Sequence, residues 1–148
     1  MHNFFMSEAL IEAKKAFDKG EVPVGAVVVS EGKIIGRGHN NRESLNLATS
    51  HAEIEAINDA SRHLGSWRLS DCSIYVTLEP CPMCSGAIIN ARISNLIYGA
   101  LDQKAGCAYS KINLFECGFN HKPNIKHGVL ETECGNILKE FFTNVRQN

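Results

Sequence analysis

The chain has 148 residues, of which 44% are hydrophobic and 21% are charged, and its formal net charge at pH 7 is -1. This composition is ordinary for a globular protein and predicts one domain, residues 1–148, large enough to bury a sizeable core. The near-neutral charge argues modestly against a protein that binds nucleic acid by charge alone, and no apolar run approaches the roughly 20 residues of a membrane span.

The hydrophobic pattern predicts helices and strands that alternate along the chain. The first helix carries apolar residues at three- and four-residue steps, and the first strand is apolar almost throughout, which predicts burial on both faces. The predicted helices are residues 3–19, 52–63, 82–91 and 131–145, and the predicted strands are residues 22–30, 34–40, 73–78, 93–100 and a short fifth strand at 126–130. Residues 41–50 break the pattern and predict a loop, and residues 101–126 are less regular.

The order of these elements predicts the fold class. Glu31-Gly32-Lys33 forms a turn between the first two strands, which predicts an antiparallel hairpin. Helices and strands alternate after the hairpin, and there is no repeat and no linker. We therefore expect an α/β fold with three layers, α-β-α, in which helices cover both faces of a mixed five-stranded sheet.

Two short motifs have the spacing of a metal site. Cys81 and Cys84, in Pro80-Cys81-Pro82-Met83-Cys84, have the two-residue gap that allows both thiolates to bind one ion. His51 would supply a third ligand and leave one tetrahedral position open for water. Glu53, two residues further on, is well placed to carry protons for that water. The order H-x-E, then P-C-x-x-C, is a known signature of zinc base deaminases, so we expect one Zn²⁺ per subunit and Glu53 as the catalytic residue.

The surroundings of these motifs support a catalytic site, with one open alternative. Both motifs fall where the chain enters a predicted helix, and the positive potential of a helix N-terminus favours thiolates. The alternative is a structural zinc site, which usually has four protein ligands. Cys107 is the spare residue that could supply the fourth.

The other cysteines do not indicate a disulfide scaffold. The chain is not small, and its first residues lack the basic start and the long apolar stretch of a secretory signal. We expect Cys72, Cys107, Cys117 and Cys134 to be reduced thiols, and the protein to be cytoplasmic with no membrane partner.

At this level of detail the sequence resembles the cytidine deaminase-like superfamily, and within it the bacterial tRNA-specific adenosine deaminases. The resemblance covers nearly the whole chain. It is carried by Glu21-Val22-Pro23-Val24-Gly25-Ala26-Val27, Gly38-His39-Asn40 with Arg42, Ser50-His51-Ala52-Glu53 and Tyr75-Val76-Thr77-Leu78-Glu79-Pro80-Cys81-Pro82-Met83-Cys84-Ser85-Gly86-Ala87. The stretch from Asp102 to Gly106, Asn120-His121 and Phe141-Phe142 point to the tRNA branch. Cys107-Ala108-Tyr109-Ser110 departs from the family, which often has small residues and a Gly-Ser pair there.

The resemblance implies a cytidine deaminase-like fold and hydrolytic deamination of adenosine to inosine at the wobble position (34) of a tRNA anticodon. It implies a homodimer that binds the tRNA anticodon stem-loop through both subunits. It also implies that Asn40 hydrogen-bonds the base or ribose and that Asp102, Lys104 and Asn120 lie along the nucleotide path. Phe142 would pack against a neighbouring nucleotide.

Plainer interpretations are open for the substrate residues. Asn40 is also a common turn residue at the end of a strand, and Asp102 with Lys104, like Asn120, also fits a surface loop. Phe141 and Phe142 are adjacent, so one helix face cannot bury both, and we expect Phe141 in the core. Two rival functions use the same motifs: a deaminase of a free base or nucleoside such as guanine or cytosine, and a zinc-stabilised RNA-binding module without catalysis.

Overall fold

The computed structural model describes residues 1–147, with side chains up to residue 145, and arranges them around one sheet. The helices are α1 (His2–Asp18), α2 (Arg42–Leu45), α3 (Ala52–Leu64), α4 (Pro82–Ala91) and α5 (Glu131–Gln147), and a turn of 3₁₀ helix covers Leu114–Glu116. The strands are β1 (Gly25–Ser30), β2 (Lys33–His39), β3 (Cys72–Leu78), β4 (Asn95–Ala100) and β5 (Asn124–Lys126). No helix among these is long and apolar enough to cross a membrane.

The five strands form one mixed sheet in the order β2-β1-β3-β4-β5. Strand β1 pairs antiparallel with β2 and with β3, which confirms the expected hairpin. Strands β3, β4 and β5 run parallel to one another. The carboxyl ends of β3 and β4 therefore meet at one edge of the sheet, where open α/β sheets place their ligands.

Helices cover both faces of the sheet, which confirms the expected three layers. Helices α3 and α4 pack on one face around Val28, Ile74 and Leu96. Helices α1 and α5 pack on the other face around Val27 and Tyr75. Successive side chains of a strand point to opposite faces, so β1 is apolar from Ala26 to Val29 because both of its faces are covered.

Glycines in β2 allow α3 to lie directly on the sheet. A Cβ at Gly38 would lie 2.5 Å from the backbone N of Ala56 and 2.6 Å from the Cβ of Glu55. Gly36 has the same relation to the next turn of α3, at Ala60. The position of the N-terminus of α3 over the sheet edge therefore depends on these two glycines.

We expect Gly38→Ala to lower the free energy of unfolding by ~1–3 kcal/mol, because the added methyl group must displace a packed helix. Urea unfolding at pH 7 measures this change. The matched control is Gly135→Ala in α5, where an added Cβ would have no atom within 4 Å. The control is expected to be neutral or stabilising by up to ~1 kcal/mol, and equal effects of the two substitutions would contradict close α3–β2 packing.

Two expectations from the sequence were wrong in detail. Residues 41–50 are not wholly a loop, because α2 forms where the backbone N–H groups of Glu43 and Ser44 donate to the carboxylate of Glu21, 3.1 and 2.5 Å away. The fifth strand lies at Asn124–Lys126 and not at 126–130, because pairing with β4 selects those residues. Gly128 and Leu130 have φ angles of 80° and 51°, which an extended strand does not accommodate.

Candidate active site

A cavity of about 450 Å³ opens at the edge of the sheet where β3 ends. Its walls come from the start of α3, the segment after β3, the loop after β4, the turn before β1 and the C-terminal part of α5. His51, Glu53 and Cys81 are among the residues that line it. A cavity of this size can hold a ligand of the size of one nucleoside.

The three expected metal ligands lie together at this cavity. One ligand atom each from His51, Cys81 and Cys84 lies within 4.8 Å of the other two. The Nδ1 of His51 is 3.6 Å from the Sγ of Cys81 and 3.7 Å from the Sγ of Cys84. Nitrogen and sulfur ligands of a tetrahedral zinc ion, with bonds of about 2.1 and 2.3 Å, lie roughly 3.6 Å apart. The residues therefore fit a zinc ion without rearrangement.

Two helix N-termini converge on the expected metal ligands. His51 is the N-cap residue of α3, and Cys81 is the N-cap residue of α4. Pro82 occupies the first turn of α4, where its missing N–H group is not needed. Neither cap residue makes a side-chain cap hydrogen bond, so the positive potential of both helix ends faces the site. Hydrogen bonds from Cys84 and then from His51 lower the pKa of Cys81 to about 4, which favours its thiolate.

Cys107 does not complete a four-ligand structural site. Among the residues that the structure describes, the group containing His51 and both thiols has three members. The thiol of Cys107 is instead 3.5 Å from the carbonyl oxygen of Ala105. The arrangement leaves a coordination position that no side chain of the group fills, as in catalytic zinc sites.

Glu53 is buried beside the expected metal ligands and lines the cavity. Burial is the main cause that raises the pKa of Glu53, to about 7, and the charge of Cys81 adds to it. A carboxyl group with a pKa near the working pH can both accept and donate a proton. The arrangement suits proton transfer at the open metal position.

The structure separates the expected substrate residues into two groups. Asn40 and Asp102 line the cavity. Lys104 and Phe142 lie outside it, together at a shallower depression that Lys139 also lines. Asn120 is exposed and is not part of the cavity wall.

The two expected residues in the wall use their side chains to hold backbone. Asn40 donates from Nδ2 to the carbonyl of Val22 at 3.2 Å and accepts at Oδ1 from the N–H of Arg42. Asp102 accepts at Oδ1 from the N–H groups of Lys104 and Ala105, at 3.0 and 3.2 Å. These hydrogen bonds fit the interpretation of Asn40 as a turn residue and of Asp102 as a loop residue. A contact with substrate would use the hydrogen-bonding capacity that remains on each side chain.

Phe141 and Phe142 differ from expectation in one respect. Phe142 is 45% exposed, as expected. Phe141 is half-buried and lines the cavity, and its ring packs edge-on against Phe17 at a centroid distance of 5.9 Å. The expectation of a core position was wrong because the inward face of α5 covers the cavity at this point and not the sheet.

Sequence reasoning missed two buried carboxylates in the cavity wall, Glu21 and Glu79, each 2% exposed. Burial opposes ionisation of each, but hydrogen bonds outweigh it and place both pKa values below their usual range. Ser44 and Glu43 donate the bonds to Glu21, and the loop after β4 donates those to Glu79. Both residues belong to segments that carry the family resemblance, but nothing in those segments indicates that the carboxylates are buried.

Tyr109 lies in the segment that departs from the family pattern, but its side chain does not alter the hydrogen bonds of Glu79 to the loop. Tyr109 uses its backbone N–H to bond Glu79 at 2.8 Å, and any residue except proline offers that group. Its side chain is 69% exposed and stacks on the ring of His127 at 6.2 Å. His127 in turn stacks on Tyr98, which places the Tyr109 ring outside the cavity lining.

The comparisons with known proteins agree with this geometry. A family model described as MafB19-like deaminase matches residues 1–146. The tRNA-specific adenosine deaminase of Bacillus subtilis is 49% identical over 144 residues, which are 97% of this chain and 89% of that protein. A solved guanine deaminase from Bacillus subtilis has a TM-score of 0.65 at 32% identity, over 81% of this chain and 87% of that one.

A further solved structure comes from studies of A-to-I editing by tRNA:A34 deaminases at the wobble position of transfer RNA. It has a TM-score of 0.88 at 45% identity, and the match covers 91% of this chain and 99% of that chain. Sequence identity near one half therefore extends along almost the whole chain and is accompanied by the same fold. The chain belongs to the family of tRNA-specific adenosine deaminases.

Proposed function

We propose that this chain hydrolyses adenosine to inosine and ammonia at the wobble position (34) of a tRNA anticodon. The observation that carries the proposal is the three-ligand group with Glu53 buried beside it, at the wall of a cavity of nucleoside size. The name of the 49% identical Bacillus subtilis relative supports the substrate. The enzyme is one deaminase domain, residues 1–148, and acts in the cytoplasm.

One Zn²⁺ per subunit is held by His51, Cys81 and Cys84. An imidazole and two thiolates form a donor set that suits zinc, and their spacing in the structure fits its bond lengths. When bound, the ion supplies a water molecule whose pKa is lowered towards ~7.

Glu53 moves the protons of the reaction. Its carboxylate accepts a proton from the attacking water and delivers it to the ring nitrogen next to C6 of adenine. The same carboxyl group then accepts the remaining proton of the added hydroxyl and passes it to the amino group, which leaves as ammonia. One carboxylate therefore serves as base and as acid, and burial keeps bulk water from competing for its protons.

The substrate residues contact different nucleotides of the RNA strand. Asn40 and Asp102, in the cavity wall, contact the nucleotide that enters the cavity. Lys104, Asn120 and Phe142, outside it, contact flanking nucleotides, for which stacking on an aromatic ring contributes ~1–3 kcal/mol per base. An anticodon loop presents bases that are already unstacked, which lowers the cost of inserting the adenine. The enzyme is a homodimer, and both subunits contact the tRNA.

A second candidate is a deaminase of a free base such as guanine. The solved guanine deaminase with 32% identity and a TM-score of 0.65 favours it, because the same zinc ligands and carboxylate would serve both reactions. The two candidates differ in whether the substrate extends beyond the cavity.

We expect purified, zinc-loaded protein to form inosine from an anticodon stem-loop with adenosine at position 34 and to release no ammonia from free adenine, adenosine, guanine or cytosine. The measurement is inosine by nuclease digestion and chromatography, with ammonia by coupled assay. Glu53→Ala is the control for contaminating activity. Ammonia from a free base with an unchanged stem-loop would support the second candidate, and stem-loop binding without inosine would favour a non-catalytic RNA-binding module.

A further inference from the structure

Glu79 holds the whole loop between β4 and the 3₁₀ turn. Its Oε2 accepts from the N–H groups of Ala108, Tyr109 and Ser110, at 3.1, 2.8 and 2.8 Å. Its Oε1 accepts from the N–H of Asp102 at 3.0 Å and from the Oγ of Ser110 at 2.5 Å. One buried carboxylate thus ties the two ends of residues 102–110 to the end of β3.

The loop is shaped to accept this carboxylate. Gly106 faces Glu79 so closely that an added Cβ would overlap its carboxyl group and would lie 2.5 Å from the carbonyl oxygen of Asp102. The N–H of Cys107 donates to the carbonyl of Pro80 at 2.9 Å, so the loop is also tied to the residue next to the ligand Cys81. The fixed loop places Asp102 and Ala105 in the cavity wall.

We propose that Glu79 is a positioning residue for the RNA substrate: it holds the segment from Asp102 to Ala105 in the conformation that receives the nucleotide. The inference deepens the proposed function and rests on it for the identity of the substrate. Glu79 itself makes no proton transfer and binds no metal in this role. Its carboxylate acts through the backbone of the loop, and the loop contacts the RNA.

The variant Glu79→Gln distinguishes the attachment of one end of the loop from that of the other. The amide oxygen of glutamine can take the place of Oε2, where three backbone N–H groups converge. Its NH₂ group then occupies the Oε1 position, where the hydroxyl of Ser110 can turn to accept a hydrogen bond but the N–H of Asp102 cannot. The variant therefore releases Asp102 and retains the attachment of residues 108–110.

Amide hydrogen exchange tests this without reference to activity. In Glu79→Gln we expect the amide of Asp102 to exchange at least ~10-fold faster, as for one lost hydrogen bond to a charged group. The amides of Ala108 and Tyr109 should keep their protection. Ser110→Ala is the matched control: it removes only the hydroxyl bond and should leave the exchange of Asp102 unchanged.

Steady-state kinetics on the stem-loop test the functional consequence. We expect the KM of Glu79→Gln to rise ~10-fold while kcat stays within ~3-fold and the zinc content stays at one per subunit, because the metal and Glu53 are untouched. A purely structural role would instead lower the folded fraction, with KM unchanged. Ser110→Ala should keep KM within ~3-fold of the wild-type value.

An unchanged KM would overturn the proposal, and so would unchanged exchange at Asp102. Gly106→Ala provides an independent variant if Glu79→Gln fails to fold. The added methyl group would displace the carboxyl group of Glu79 from the loop, so this variant should also raise the KM for the stem-loop. Failure of the proposed function has a different signature. In that case the wild-type protein makes no inosine, and the exchange experiment still reports whether Glu79 holds Asp102.

Discussion

Glu53→Gln is expected to lower kcat on the stem-loop by ~10²–10⁴-fold, the range typical of a lost general acid–base group. Glutamine has the same shape and can occupy the same buried position, but it cannot accept the proton of the attacking water. The zinc content should stay at one per subunit, because Glu53 does not belong to the group of His51, Cys81 and Cys84 that could hold the ion. Single-turnover assays with excess enzyme measure the loss at the chemical step.

Glu55→Gln is the matched control for this variant. It removes the same charge two residues further along α3, from a residue that does not line the cavity. Its kcat should stay within ~3-fold of wild type, because Glu55 neither lines the cavity nor belongs to the group of His51, Cys81 and Cys84. A similar loss in both variants would mean that the charge of the helix terminus, and not proton transfer by Glu53, determines the rate.

Glu53→Gln should also stabilise the metal-free protein above neutral pH. Burial raises the pKa of Glu53 from 4.5 to about 7, so between these values the folded state binds a proton that the unfolded state has lost. Stability from this group therefore falls as the pH rises from 4.5 to about 7 and stays low above it. After chelation, Glu53→Gln should unfold at a higher temperature than wild type at pH 8, and the difference should shrink towards pH 4.

The group of His51, Cys81 and Cys84 could be predicted from the sequence because its parts are local. These three residues lie at the N-caps and in the first turn of two helices. Each helix has a local signal for one of its bounds: Pro82 at the start of α4 and Gly65, with φ of 67°, at the end of α3. The spacing of Cys81 and Cys84 within one turn fixes their relative position before tertiary structure is considered. The alternation of helices and strands predicted a mixed sheet covered on both faces, but the order of its strands, β2-β1-β3-β4-β5, came from the structure alone.

The walls of the cavity could not be predicted in the same way, because distant residues organise them. Helix α2 forms on the carboxylate of Glu21, which lies 22 and 23 residues before the N–H groups that it accepts. The loop after β4 forms on Glu79, 23 to 31 residues away. In the sequence both appear as ordinary acidic residues, and nothing local shows that they are buried. Phe141 illustrates the same limit, since periodicity gives the apolar face of α5 but not what that face covers.

Cys84→Ala is expected to remove both zinc and activity. The substitution removes one of the three expected ligands and leaves His51 and Cys81. Two protein ligands do not hold zinc in a tetrahedral site. The inosine yield should fall to background, and zinc per subunit, measured by mass spectrometry, should fall to a small fraction of the wild-type value. Chelation of the wild-type protein should give the same loss, reversed by added zinc.

The stability of this variant distinguishes a metal ligand from a packing residue. Zinc that binds only the folded state stabilises it by ~4 kcal/mol when free zinc exceeds the Kd about 1,000-fold. Wild-type protein should therefore unfold at a higher temperature with zinc than after chelation, whereas Cys84→Ala should show no such difference. Cys134→Ala is the matched control, since Cys134 is also fully buried but lies on the other face of the sheet. It should lose some stability to the small cavity yet keep the full response to zinc, and a zinc response in Cys84→Ala equal to that of Cys134→Ala would exclude Cys84 as a ligand.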